Sequence, residues 1–324
     1  MDISLLLRSL VPTAALLGLG WALRKHLNFK DAFWVELERL TYYFLLPALF
    51  ISSLATANLT KLPAFSMVGV IIVSSVVGGL LLLPFRKLAA GNNGPAFTSV
   101  YQGAVRFNNY IGLVLATTLF GADGLALAAL ANAALVPTVN ITSTLVFAQY
   151  GSAKVQGWAI VRAIYTNPLV LACFVGLALN LSGLWFSSIN DDAAAATSAL
   201  AAPLVEILKI LGQAALPIGL LCVGAGLRAT SLRGFVRPML WASSFRFVII
   251  PTLALVLCLW AGLTGPAAAV IILFQSIPTA SSAYVLSRRL GGDSPLMAAI
   301  IATQTASSFL TIPAWIALTA LFVR

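Results

Sequence analysis

The run from Ala96 to Leu119, AFTSVYQGAVRFNNYIGLVLATTL, is long and apolar enough to cross a bilayer, yet it carries Gln102, Arg106, Asn108, Asn109 and Gly112 around its middle. Polar groups are costly in hydrocarbon, so a knot of them inside a span marks a cavity or a pathway. A second run, Pro266 to Arg289, PAAAVIILFQSIPTASSAYVLSRR, has the same design with Gln275, Pro278, Thr279, Ser281 and Ser282 at its centre. Two interrupted spans, one in each half of a chain, point to a transporter binding site.

Charged residues make up 9% of the chain and hydrophobic ones 60%, with a mean hydropathy of +0.99. A soluble domain carries about 25% charged residues, so this is an integral membrane protein. Windows of the roughly 20 apolar residues that a span requires occur ten times, at about 4–23, 34–57, 63–85, 96–119, 123–148, 158–181, 200–227, 235–261, 266–289 and 295–322. In lipid every backbone polar group must find an internal partner, and the alternation of a barrel strand is absent, so the spans are helices. The fold class is therefore all-α polytopic, with ten transmembrane helices. Residues 182–199, with Asp191, Asp192 and an alanine run, read as an exposed loop. Arg24 and Lys25 follow the first apolar run instead of preceding it, the reverse of a cleaved signal peptide, which makes 4–23 a true span with Arg8 near its outer end.

The net charge of +10 has a topological explanation that leaves no role for nucleic acid. Arg24, Lys25, Lys30, Arg86, Lys87, Lys154, Arg228, Arg233, Arg237, Arg288 and Arg289 fall in the odd-numbered loops and their flanks, whereas the even loops hold Lys61 beside Asp123, Asp191 and Asp192. The positive-inside rule places the odd loops in the cytoplasm and both termini outside, in a multi-pass protein of the plasma (inner) membrane. Five spans per half then give the second half an inverted orientation. Leu45-Leu46-Pro47-Ala48-Leu49 recurs as Ala215-Leu216-Pro217-Ile218-Gly219, and Gly121-Ala122-Asp123 as Gly291-Gly292-Asp293, with one offset between both pairs and Gln102 and Gln275 close to it. An inverted five-plus-five repeat follows, with residues 1–150 as helices one to five and 151–324 as helices six to ten.

Pro278 lacks a backbone donor and clashes with the preceding turn, so span nine should break just before it. At 1.5 Å per residue, Asn108, Asn109 and Pro278 all lie roughly 18 Å into their spans, near the middle of a core about 30 Å thick. A half-helix N-terminus is an anion site through its free amides and partial positive charge. Two such ends meeting at the midplane would hold one carboxylate, with Asn108, Asn109, Thr279, Ser281 and Ser282 orienting it. The competing reading is that these residues cap a kink and bond neighbouring helices.

The motifs Leu45 to Leu49 (LLPAL), Arg106 to Gly112 (RFNNYIG), Asn167-Pro168, Leu216 to Leu227 (LPIGLLCVGAGL) and Gln275 to Tyr284 (QSIPTASSAY) make the chain resemble the auxin efflux carrier family in its compact bacterial form, which includes malonate and other organic-acid carriers. The resemblance covers essentially the whole chain. It implies crossed, broken helices four and nine, a scaffold of helices one, two, six and seven, and a homodimer through that scaffold. Plant members break the fourth helix with a proline. This span has none between Pro95 and Pro137, so its break would have to come from Asn108, Asn109 and Gly112.

Arg106 and Arg246 lie well inside spans with no acidic residue at their depth. Each either lines an electropositive path or satisfies the carbonyls of a broken helix. Glu206 and Lys209, one turn apart, read as a local ion pair, and His26 as solvated. Asn140 lies past Pro137 and joins the site residues; Asn132, Thr303 and Gln304 either line the same site or make interhelical bonds. No carboxylate falls at the centre of spans three to five or eight to ten, which argues against a sodium–proton antiporter and leaves proton coupling only to Glu206 or the substrate. Cys173, Cys222 and Cys258 have no metal spacing, and no cofactor or metal is expected.

Together these readings describe a secondary carrier for a small organic anion, with spans three to five and eight to ten moving against the scaffold in an elevator-like alternation. The alternatives are an anion channel or a membrane receptor using the same cavity. No Walker loop is present, and the lone histidine gives no nucleophile–base pair for an enzyme.

Overall fold

A computed structural model describes residues 3–27, 29–57, 63–152, 166–181, 195–227 and 234–322. Lys61, Lys154, Asp191, Asp192, Arg228, Arg233, the side chain of Arg8 and the first part of the sixth expected span lie outside the described residues. The described chain is helical throughout: α1 (Ile3–His26), α2 (Asp31–Leu40), α3 (Leu46–Ala55), α4 (Ala64–Leu82), α5 (Arg86–Ala90), α6 (Gly94–Val105), α7 (Asn109–Tyr150), α8 (Pro168–Leu181), α9 (Ala195–Gly226), α10 (Val236–Ser244), α11 (Ile250–Trp260), α12 (Gly265–Ser276), α13 (Ser282–Leu290) and α14 (Ser294–Phe322).

Among the described residues, five helical stretches have the length and hydropathy of a membrane crossing, namely Ala64–Ala90, Gly94–Tyr150, Glu206–Gly226, Val236–Trp260 and Ser294–Phe322, with Pro168–Leu181 and Gly265–Ser276 as shorter apolar helices. Several expected spans are interrupted or carry charge, and the side chains of spans one and six are described only in part. Span two opens on the charged helix DAFWVELERL, span nine is split, and spans four and five run together through a kink at Gly121 (φ 61°, ψ −139°), a conformation that favours glycine.

Proline explains two further irregularities. A five-residue π turn, Thr41–Leu45, joins α2 to α3 just before Pro47, and another, Phe245–Ile249, joins α10 to α11 just before Pro251. The wider turn relieves the clash of each ring with the carbonyl four residues earlier. At Pro251 that carbonyl belongs to Phe247, and it accepts a hydrogen bond from the indole of Trp315 at 2.6 Å. Pro137 distorts α7 less than expected, since Gly121 is where that run leaves helical geometry.

Packing sorts the helices into two groups. α1 lies along α9, and α3 along α8 and α9; α4 packs on α7 and α11, α12 on α7 and α14, and α10 on α6. The first group approaches closely, because a Cβ on Gly20 would strike the Leu221 carbonyl and one on Gly224 the Leu17 carbonyl. α7 touches members of both groups.

Candidate substrate site

Both interrupted spans are broken. α6 stops at Val105, and Arg106 turns extended at φ −75°, ψ 154°; α12 stops at Ser276, and Ile277 turns extended at φ −77°, ψ 155°. Each of these first halves is 12 residues long and opens on Gly-Pro, at Gly94-Pro95 and Gly265-Pro266. The breaks cross. The amide of Asn108 donates to the carbonyl of Pro278 at 2.8 Å, tying one interruption to the other through the main chain.

Breaking a helix inside hydrocarbon frees carbonyls at one end and amides at the other, and the free carbonyls need donors. Arg246, fully buried, supplies several. Its Nε donates to Ile277 O at 2.6 Å, one Nη to Val105 O at 3.2 Å and the other to Phe274 O, so one guanidinium closes the C-terminal ends of both α6 and α12. Thr279 Oγ1 donates to the carbonyls of Gly103 and Arg106 at 3.0 and 3.2 Å. Gln304 accepts from the Thr279 amide at 3.0 Å while its Nε2 donates to Gly103 O at 2.8 Å. These are the bonds that permit a break in α6 without proline.

The amide ends are capped less fully. Asn108 Oδ1 accepts from the amide of Ile111 at 3.3 Å and its carbonyl from that of Gly112 at 3.1 Å. The amides of Asn109 and Tyr110 at the start of α7, and of Ser281 and Ser282 at the start of α13, have no protein acceptor among the described residues. Between these two N-termini lies a cavity of about 50 Å³, lined by Tyr42, Arg106, Phe107, Asn109, Val136, Val139, Asn140, Leu169, Ala280 and Ser282. Arg106 reaches across it, donating to Asn140 Oδ1 at 2.9 Å and to Ser282 Oγ at 3.4 Å, and its buried Nε has no partner. Only neutral oxygens meet this guanidinium. The ion pairs among the described residues are Arg24–Asp31 and Arg39–Glu36, both elsewhere.

Two larger crevices lie along α9, one at its C-terminal end and one beside its middle. One, of about 540 Å³, is lined by Arg24, Asp31, Trp34, Glu38, Cys222, Gly226, Ser281, Tyr284, Arg288 and Arg289 among others. The other, of about 340 Å³, is lined by residues such as Ser52, Ser53, Thr56, Ala122, Asp123, Lys209 and Gln213. Ser281 faces the first while its neighbours Ala280 and Ser282 face the inner cavity, so one residue separates vestibule from site.

Residues 5–316 match the family model described as "Membrane transport protein". The chain belongs to that family, the auxin efflux carrier family. A relative in it, from Methanothermobacter thermautotrophicus and described as an uncharacterized transporter, is 24% identical over 280 residues, covering 86% of this chain and 87% of the other. This family member is thus a membrane transport protein by descent, and the crossing is where its polar interior is concentrated.

Of the residues singled out in the sequence of this auxin efflux carrier homologue, Arg106, Asn109, Asn140 and Ser282 come together on the cavity. Asn108 and Pro278 form the tie between the breaks, and Ser281 opens on the vestibule. Gln275 turns away, bonding Ile71 O, Ser74 and Ser75 on α4 at 3.2, 2.9 and 2.8 Å. Thr279 is spent on carbonyls, and Gly112 makes room for the Phe274 ring and Ile277, which a Cβ there would meet at 2.7 and 2.9 Å. Glu206 and Lys209 are both exposed and form no ion pair; a solvated pair gains little from closing. Sequence reasoning missed Tyr42 and Glu38. Tyr42 accepts from Asn167 Nδ2 at 3.2 Å, and Asn167 in turn caps α8. The signal was present, in two glutamates and a tyrosine pair immediately before an apolar run, but they read as the end of a span.

Proposed function

We propose that this protein is a secondary carrier for a small organic anion, its carboxylate held at the crossing by Arg106 and the amide ends of α7 and α13. The observation that carries the reading is Arg106, a half-buried cation met only by neutral oxygens and with a buried, bare Nε. An unpaired charge in a low-dielectric interior is unstable, and a carboxylate is the group that a guanidinium fork and two helix N-termini favour together. The cavity of about 50 Å³ suits the head of such a ligand, and the vestibule its approach.

The wider architecture belongs to the same reading. Ten spans form an inverted five-plus-five repeat, which the matching lengths, Gly-Pro openings and extended ends of α6 and α12 support. The group containing α1, α3, α8 and α9 is the scaffold and pairs in a homodimer, while the group containing α4, α6, α7 and α10 to α14 moves. With Arg24, Arg288 and Arg289 around it, the larger crevice faces the cytoplasm by the positive-inside rule, and the smaller one faces outward in the plasma membrane. The substrate is exposed to one crevice and then the other.

The test is counterflow of labelled malonate into proteoliposomes preloaded with unlabelled malonate, extended over other mono- and dicarboxylates. Exchange is expected in the wild type and its loss in Arg106→Gln. Currents far above carrier turnover, with no counterflow, would overturn the reading in favour of a channel.

A further inference from the structure

One hydroxyl on the inner cavity comes from the other group of helices. Tyr42 lies in the π turn Thr41–Leu45, which packs on α3, α8 and α9 and so belongs with the scaffold group. Arg106, Asn109, Asn140 and Ser282 come from the group that contains α6, α7 and α13. Leu169 on α8 is the other scaffold residue on the cavity, so among the described residues Tyr42 is the scaffold's one polar side chain there.

Its hydrogen bond has a fixed direction. Asn167 caps α8 by accepting on Oδ1 from the amides of Leu169 at 3.0 Å and Val170 at 3.4 Å. That commitment sets which way the Asn167 amide faces, and it leaves Nδ2 to donate to the Tyr42 oxygen at 3.2 Å. A phenol has a single proton, and in this bond its oxygen is the acceptor. The proton itself has no acceptor among the described residues. The π turn that accommodates Pro47 thus carries a hydroxyl whose donor is kept free at the wall of the anion site.

We infer that Tyr42 donates this proton to the bound anion in the arrangement that opens on the vestibule, and that the contact is lost when the site moves away, so that the anion is held more tightly on one face of the membrane than on the other. The inference rests on the carrier reading above. Tyr42 directly follows α2, which walls the vestibule through Asp31, Trp34, Val35 and Glu38. Arg106, Asn109, Asn140 and Ser282 travel with the ligand, whereas Tyr42 stays behind with the scaffold. A contact made in only one of two arrangements favours the loaded protein in that arrangement by the same factor as it tightens binding there. For a hydrogen bond to a charged partner that factor is about tenfold or more. Arg106 holds the anion throughout, and Tyr42 decides where the loaded carrier rests.

The experiment uses the pair Ser53→Cys and Ala122→Cys as parent, because its cross-link draws the walls of the smaller crevice together and leaves the site open to the vestibule. Tyr42→Phe keeps the ring and removes the proton. Tyr43→Phe is the control, an exposed neighbour outside the cavity. In the cross-linked protein, malonate affinity read by thermal shift should fall about tenfold in Tyr42→Phe and stay within about twofold of the parent in Tyr43→Phe. Before cross-linking, malonate should raise the cross-link yield at least twofold in the parent and leave it unchanged in Tyr42→Phe, the ligand-free yields being equal. Parental affinity in Tyr42→Phe would overturn the inference, as would a parent yield that malonate does not raise. A rise of parental size in Tyr42→Phe would make the contact two-sided, and a changed ligand-free yield would make it structural; either would also overturn it. Absence of malonate counterflow in the wild type would remove the carrier reading, and the affinity comparison in the cross-linked protein would still decide whether Tyr42 touches the anion.

Discussion

Arg106 and Arg246 are alike in sequence and opposite in use. Arg246 donates to three main-chain carbonyls at the ends of two helices, so truncation leaves several buried acceptors bare. At about 1–3 kcal/mol per unsatisfied group, Arg246→Ala should reduce the yield of folded protein and lower its melting temperature by more than 5 °C, read by fluorescence-detected size exclusion after heating. Arg106 meets only side-chain oxygens at a cavity. Arg106→Gln should fold normally and lose at least tenfold in carboxylate affinity by thermal shift, and Arg106→Lys should recover only part because it lacks the planar fork. A matching loss on Asn109→Ala would place that side chain on the ligand as well. At this scale the sequence marked both arginines as exceptional and kept both of their roles open. Depth along a helix is legible from the 1.5 Å rise, whereas the atoms a guanidinium meets come from other helices, 28 positions away for Phe274 and Arg246 and 141 for Val105 and Arg246.

For the helices, the question is what holds a break open. Pro278 was the visible breaker, yet α6 is broken as cleanly without proline, and the two interruptions leave their helices at nearly the same angles. The shared support is Thr279 with Gln304, which together hold Gly103 O, Arg106 O and the Thr279 amide. Pro278→Ala should therefore keep the fold and most carboxylate binding. Gln304→Leu, which leaves a donor and weakens an acceptor in the interior, should cost about 2 kcal/mol or more. A larger loss of thermal stability in Pro278→Ala than in Gln304→Leu would contradict this order. Gly112→Val should also destabilise, by about 1–3 kcal/mol through overpacking against Phe274 and Ile277. Apolar periodicity and proline located the interrupted elements correctly. The Gly-Pro dipeptides at Gly94 and Gly265, which register the two halves more closely than the Leu-Pro pairs, were legible too and went unused.

Across the whole molecule, two groups of helices meet, and each of the two crevices is lined by residues of both. Ser53 on α3 and Ala122 beside the Gly121 kink line opposite walls of the smaller crevice. If the groups slide during transport, the pair Ser53→Cys and Ala122→Cys should cross-link with a yield that changes at least twofold on adding malonate. The change should vanish when Arg106→Gln is added, and a yield indifferent to ligand in the unaltered background would count against relative motion.

Read alone, the sequence determined that this chain is an all-helical membrane protein with two interrupted spans and a concentration of polar groups inside them, because the cost of polar groups in lipid and the backbone limits of proline act locally. Only the tertiary structure decided that the two breaks lie on each other, that Gln275 and Thr279 are consumed in holding them, and that Arg106, Asn140, Tyr42 and Ser282 converge on one cavity. Hydrogen-bond partners in a helical bundle are set by which faces pack together. That choice is made over the whole chain at once.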